Sequence, residues 1–340
     1  MRALVIGDLH FGIKSNSLSW LESQLKFFED QIFVEIETKN IDRIIFLGDV
    51  SDIRYSVNQQ VGIELKKLFR KMLNKFENKE FIIVAGNHDY YSPLEEFDEY
   101  TAYELMFGEE FYKCHPNLRI IQKEPWMDEY GNLFLPWYWT ENPMHFDEIL
   151  YNYDFSREVK AIYCHADLTT WPGARIGSLK GTPVYSGHIH NINIDVLSNL
   201  YNLGAAVALT FNDVNEDRYL YIIEDYQIVD RIKNVTTPRF IRIYDEAIFS
   251  ADEKTFENSY VQLCISTSNI NKAKYVEQIK LLKTTYVNAN IRVHLIDNDT
   301  DINTLSVEGI NTNIQTYIEN NIPEHLDDKY ELITNRLKEN

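Results

Sequence analysis

Five separate stretches of this chain pass abruptly from apolar, largely β-branched residues into aspartate, asparagine and histidine. Leu4–Ile6 runs into Gly7-Asp8-Leu9-His10, Ile44–Leu47 into Gly48-Asp49-Val50-Ser51-Asp52, and Phe81–Val84 into Gly86-Asn87-His88-Asp89. Val159–Tyr163 delivers Cys164-His165, and Thr182–Tyr185 delivers Ser186-Gly187-His188-Ile189-His190. Short apolar runs bounded by Gly and polar residues read as strands buried on both faces. Between the first three lie helical periodicities, roughly 18–39 and 58–77, the latter with Val61, Leu65, Leu68 and Leu73 separated by Lys and Arg. Strand–helix–strand–helix–strand predicts a parallel sheet whose ligands gather beyond the carboxyl ends of its strands. Every polar cluster falls at such an end.

Each motif alone has an ordinary explanation. Gly-Asp is a common turn, and a single histidine is more often a hydrogen-bonded surface residue than a ligand. Five of the nine histidines arriving in order at strand ends is a different matter. Carboxylate, imidazole and amide oxygen without thiolate suit Mn²⁺, Mg²⁺ or Fe²⁺ better than structural zinc. Two such ions about 3.5–4 Å apart can bind neighbouring phosphate oxygens, activate a water and stabilise an in-line displacement. A ligand shared by both must offer two oxygens, and Asp49, on the middle of the first three strands, is the natural choice.

Further strands are expected at about 192–196, 200–203 and 219–223, forming a second sheet on the first. Pro238 marks a boundary, placing one domain over 1–236. Beyond it, Phe240–Tyr244, Tyr260–Ser266 and Ile291–Ile296, with a helix near 271–286, read as a small α+β domain over 237–297. Residues 298–340 form a polar linker and a tail of two amphipathic helices split by Pro323. The fold class expected is α/β, a two-sheet sandwich flanked by helices, with that small domain and helical tail appended.

Taken whole, the net charge of −19 argues against a phosphate-backbone partner. The acid is not evenly spread. Residues 80–156 carry 3 basic against 16 acidic side chains, a net of −13, while residues 1–79 are close to neutral. Two divalent ions would add positive charge where the ligands converge, so the acidity reads as a localised surface that DNA avoids. It also implies weak, salt-sensitive DNA binding by the chain alone. Three widely spaced cysteines give neither a disulfide framework nor a thiolate zinc site. The apolar start is stopped by Asp8, far short of a signal-peptide core, and no stretch approaches a membrane span. The expectation is a reduced, cytoplasmic protein.

Asp8-x-His10, Gly48-Asp49-x-x-Asp52, Gly86-Asn87-His88-Asp89, isolated His165 and Gly187-His188-x-His190 together resemble the calcineurin-like metallophosphoesterase signature. Within that superfamily the chain is similar to the SbcD-type DNA double-strand-break repair nucleases, and most similar to the branch found in T-even phages. Gly48 to Arg54, Leu135-Pro136-Trp137 and the stretch Leu203 to Arg218 carry the finer likeness. The resemblance implies Asp8, His10, Asp49 and His190 on one metal, and Asp49, Asn87, His165 and His188 on the other. It implies that His88 faces the scissile phosphate rather than a metal, with Asp89 orienting its ring. Some relatives have histidine at the position of Asp52, which here is expected to arrange a neighbour of the metal site by hydrogen bonding.

The implied activity is Mn²⁺-dependent exonuclease and endonuclease cleavage of DNA. The implied partner is an SbcC-type ABC ATPase, whose coiled coil would take the helical tail; the small domain would orient DNA. The alternative is a stand-alone phosphodiesterase acting on nucleotides or other small diesters, which shares the metal motifs. The family also forms homodimers through the helices flanking the third strand. Here one carries Lys66, Lys67, Arg70 and Lys71, and the region 95–110 is rich in Glu, so the two surfaces are expected to lie close together. Tyr90, Tyr91 and Trp171 are candidates for stacking on unpaired bases.

Overall fold

A computed structural model describes residues 1–52, 58–90, 101–137, 158–170, 181–214, 216–286 and 289–296. They divide into two units, Met1–Ile241 with Glu257–Tyr260, and Arg242–Phe256 with Val261–Asn340. Among the described residues no helix is long and apolar enough to cross a membrane.

The first unit holds two six-stranded sheets. In the first, β1 (Arg2–Ile6), β2 (Arg43–Phe46), β3 (Glu80–Val84) and β4 (Leu118–Ile121) run parallel in that order. The second contains β5 (Trp126–Met127), β6 (Asn132–Leu135), β7 (Ala161–His165), β8 (Val184–Gly187), β9 (Asn193–Asp195) and β10 (Leu200–Asn202), in the order β5-β6-β7-β8-β10-β9. The first sheet is completed by β11 (Tyr219–Glu224), antiparallel to β1, and β12 (Gln227–Lys233), antiparallel to β11. The stretch near 219–223, expected in the second sheet, therefore belongs to the first. Its alternate residues Tyr221 and Ile223 meet Ala3 and Val5 between the sheets, a match that no local sequence pattern announces.

Period-two alternation sorts the core into layers. Ala3, Val5, Ile45, Leu47, Ile82 and Val84 face the second sheet, while Leu4, Ile6, Ile44, Phe46, Phe81 and Ile83 face the helices. Leu133, Leu135, Ile162, Cys164 and Val184 form a third cluster on the other face of the second sheet. Its inward face carries a ladder of stacked rings, Trp126, Phe134, Tyr163, Tyr185 and Tyr201, with successive centroids 5.3, 5.2, 5.4 and 5.1 Å apart. Each step joins directly paired residues of neighbouring strands, the arrangement in which cross-strand aromatics stabilise a sheet most.

The helix Gln59–Lys75 buries Val61, Leu65, Leu68, Phe69, Met72 and Leu73, and Asn58 caps it by accepting from the Gln60 and Val61 amides. The periodicity over 18–39 is broken by a π turn at Phe28–Ile32 between Leu18–Phe27 and Phe33–Thr38. At the amino-terminal ends of the strands, buried Arg43 joins the sheets, pairing with Asp128 at 2.5 Å and donating from Nε to Glu80 at 2.7 Å.

β13 (Arg239–Tyr244), β14 (Ser259–Ser266) and β15 (Asn290–Ile296) form a three-stranded sheet in that order; the second unit holds β13 from Arg242, β14 from Val261, β15 and the helix Ala273–Thr285. Asp245 accepts from the Ser266 amide and hydroxyl and from Asn269, fixing the turn after β13. The tail expected to bind an ATPase lies outside the described residues.

Candidate metal centre

The parallel strands end together, and their loops fold over those ends. The Asp49 carbonyl accepts from the Leu9 and His10 amides at 3.0 and 2.9 Å, tying the first loop to the second. His10, Asp49 and His188 sit at φ of 51, 47 and 77°, a left-handed region that non-glycine residues enter at a cost. Three residues of the polar clusters are thus held in conformations the chain alone would not choose. Gly48, at φ 95°, and Gly187 leave the room this needs: a Cβ at the first would collide with the His165 imidazole, at the second with the Asp8 carboxylate.

Asp49 is central, with its two carboxylate oxygens turned to different neighbours. Oδ1 lies 3.4 Å from His165 Nε2, and Oδ2 lies 3.5 Å from His10 Nε2. On the His10 side, His10 Nε2 and His190 Nε2 approach to 3.2 Å, and His190 Nε2 is 3.7 Å from Asp8 Oδ2. On the His165 side, Asn87 Oδ1 lies 3.0 Å from His165 Nε2 and 3.1 Å from His188 Nδ1. Asp8, His10 and His190 form one group whose ligand atoms could share an ion; Asp8, Asp49 and His165 form a second, and His10, Asp52 and His88 a third. Asp8, His10, Asp49, Asn87, His165, His188 and His190, singled out from the sequence, are all brought together.

The electrostatics fit cations. Burial drives His10 down to about 3 and His188 down to about 4, and lowers His190, so these imidazoles offer lone pairs at neutral pH. Two such nitrogens facing each other at 3.2 Å suit a shared ligand better than each other. Burial raises Asp8 to about 7, against the attraction of His165. Burial would raise Asp49 as well, but His165, His10 and His88 hold it well below the carboxylate range. His165 is opposite: burial opposes its charge, yet Asp49 lifts it to about 9. Its Nδ1 donates to the Leu47 carbonyl at 2.7 Å, which fixes the ring and turns Nε2 toward Asp49 and Asn87. A cation there would displace the Nε2 proton.

His88 stands at the rim, about a quarter exposed, with Nε2 3.9 Å from Asp49 Oδ2 and its ring edge-on to His10. The residue orienting it is Asp52, whose Oδ1 is 2.6 Å from His88 Nδ1. This corrects the role expected of Asp89. That carboxylate is fully buried and accepts from the Ser51 amide, the Ser51 hydroxyl and the Gly86 amide, so it clamps two loops together. The resemblance implied a contact with the His88 ring; the carboxylate is committed to Ser51 and Gly86.

Tyr90 does not present a stacking face: it is buried, and its hydroxyl donates to the Gln122 carbonyl. Tyr91 and Trp171 lie outside the described residues. A residue that the motifs did not place is Trp137, whose ring lies 4.6 Å from His188 and 5.9 Å from His165. It follows β6 as the polar clusters follow their strands, and its amide donates to the Ala85 carbonyl. Arg218 and Asn202 brace the last loop from behind, donating to the carbonyls of His190 and of Ile189 and Asn191 respectively. Of the two charged surfaces, Glu95, Glu96, Asp98 and Glu99 are not described; Lys66 donates to the Phe107 carbonyl, while Lys71 and Lys75 pair with Glu29 and Glu37.

Among known proteins, no curated sequence matches. Many solved structures show distant likeness, and two illustrate it. One chain is 13% identical, with 68% of this chain and 98% of that one covered at a TM-score of 0.37. The other is the nuclease MPE of Pseudomonas putida, 15% identical, with 66% and 85% covered at a TM-score of 0.31. The model of the calcineurin-like phosphoesterases matches residues 1–191, more than half of the chain and the whole span from Asp8 to His190. The chain belongs to that family of metal-dependent hydrolases.

Proposed function

We propose that this protein is a DNA nuclease, hydrolysing phosphodiester bonds by exonuclease and endonuclease cleavage with two divalent cations, Mn²⁺ foremost. The observation that supports this most is the Asp49 carboxylate, whose oxygens face His165 and His10 separately. Asp8, His10, Asp49 and His190 would hold one cation, and Asp49, Asn87, His165 and His188 the other. Bound cations would supply an activated water and offset charge on the phosphate. Asp52 holds His88 Nδ1, leaving Nε2 to stabilise the phosphate or protonate the leaving oxygen. Leu47 and Trp137 fix the rings of His165 and His188. A donor set without thiolate agrees with Mn²⁺, and Mg²⁺ or Fe²⁺ would suit it too.

In this reading the chain is the nuclease subunit of an SbcCD-like recombination and repair complex. It acts as a homodimer, with 237–297 as a capping domain and 298–340 engaging an SbcC-type ATPase. The test is cleavage of end-labelled duplex and single-stranded DNA with Mn²⁺, with and without the ATPase. Cleavage of both DNA and a nitrophenyl phosphodiester is expected. Turnover of the small diester with no cleavage of DNA under any condition would refute the nuclease reading in favour of a stand-alone phosphodiesterase.

A further inference from the structure

Beside the last loop of the centre, on the outer side of the second sheet, lies a cleft of about 250 Å³. Its lining includes Leu168, Ile189 and Leu200, which are apolar, and Asp167, Asp195 and Asn202, which are polar. Ile189 stands between His188 and His190 in the chain, so the cleft adjoins the loop that carries two of the proposed metal ligands. Asn202 is 4% exposed; its Nδ2 is committed to the Ile189 and Asn191 carbonyls, while its Oδ1 is buried with no hydrogen-bond partner. An unsatisfied buried acceptor costs stability, and Asn202 forms part of the cleft wall.

We propose that this cleft receives an unpaired nucleobase adjoining the scissile phosphate, and that it favours bases bearing an exocyclic amino group. The proposal rests on the nuclease reading and names the substrate feature that reading leaves open. Leu168, Ile189 and Leu200 supply the apolar surface on which a base lies. Asp167, Asp195 and Asn202 Oδ1 supply acceptors, and carboxylates accept from an amino group such as N4 of cytosine. Thymine has no amino group. A carboxylate-lined cleft repels phosphate, so the backbone stays on the metal side while the base turns in. A base stacked in a duplex cannot turn into the cleft, which ties cleavage to frayed ends or single strands.

The experiment uses the full chain with Mn²⁺ and oligonucleotides differing only beside the scissile bond: cytosine, thymine or an abasic residue. A nitrophenyl phosphodiester, which has no base, reports the hydrolytic centre alone. Wild type should show a KM about tenfold lower for cytosine than for the abasic substrate, within the range of one good base contact, with thymine between them. Leu200→Trp, which fills the cleft, and the milder Asp167→Asn should abolish that preference and leave turnover of the base-free ester unchanged. Equal KM for all three oligonucleotides in wild type would overturn the cleft and leave the nuclease reading standing. A persisting cytosine preference in both folded variants would overturn it too. Hydrolysis of the ester with none of DNA would overturn the nuclease reading and the cleft with it.

Discussion

His88 Nδ1 lies 2.6 Å from Asp52 Oδ1, so the imidazole at the rim of the centre is held by a carboxylate from the second loop rather than by its sequence neighbour Asp89. A carboxylate on one ring nitrogen fixes the tautomer and aims the other nitrogen outward. In a hydrolase this makes His88 and Asp52 one functional unit.

His88→Ala should therefore lower kcat on a phosphodiester by roughly 10²- to 10⁴-fold, the usual worth of a general acid or base. Metal content should stay at the wild-type level. Asp52→Asn should cost less, and the double variant no more than His88→Ala, because residues acting as a unit are not additive. Metal analysis beside steady-state kinetics checks both, and normal cutting by His88→Ala would refute the assignment.

Asp49→Ala should empty both positions, whereas Asn87→Ala should weaken only one. Titration with Mn²⁺, followed by calorimetry or metal analysis of dialysed protein, distinguishes them. Loss of a single equivalent from Asp49→Ala would count against a shared ligand.

In the metal-free chain, Asp8 should contribute stability that is lost as the pH rises. Burial raises Asp8 in the folded state to about 7 from an ordinary value of 3.8. The folded form thus holds this proton more tightly than the unfolded form. The stabilisation is complete below about 4 and is lost as the pH climbs through about 7. In chelator, Asp8→Asn should melt above wild type at pH 8, with the gap closing toward pH 4. A gap that widens toward acid would reverse the sign.

Arg43→Met should destabilise the fold by about 3 kcal/mol, since it leaves Asp128 buried without its cation. Urea denaturation measures this. The centre lies at the other end of the strands, so kcat in the folded fraction should be unchanged.

Gly48→Ala should destabilise by at least about 2 kcal/mol, combining the left-handed backbone penalty with displacement of His165. Its Mn²⁺ affinity should fall together with its melting temperature, which separates it from Arg43→Met.

Much of this was legible in the sequence because parallel strands have a polarity that puts their carboxyl ends together. Asp8, Asp49, Asn87, His165 and His188 could be assembled from that rule alone. What could not be read were the side-chain directions. Asp52 rather than Asp89 reaches His88, a matter of side-chain direction that short motifs do not encode. Strand β4 (Leu-Arg-Ile-Ile) and the short β5 and β6 escaped notice because they are brief and lack a glycine-polar ending of the kind that marked the others. Strand β12 escaped because its alternating pattern is half exposed.

The antiparallel pairing of β1 with β11 also has a consequence for how the protein is made. β1 leaves the ribosome well before β11, and residues 7–218 must follow before its second neighbour exists. At about 5–20 residues per second that takes roughly 10–40 s. During that time an apolar strand ending in Asp8 keeps one edge open to other chains, the situation that invites aggregation. His188 and His190 emerge shortly before β11. The ligand set of the proposed centre is therefore completed only shortly before that edge can close.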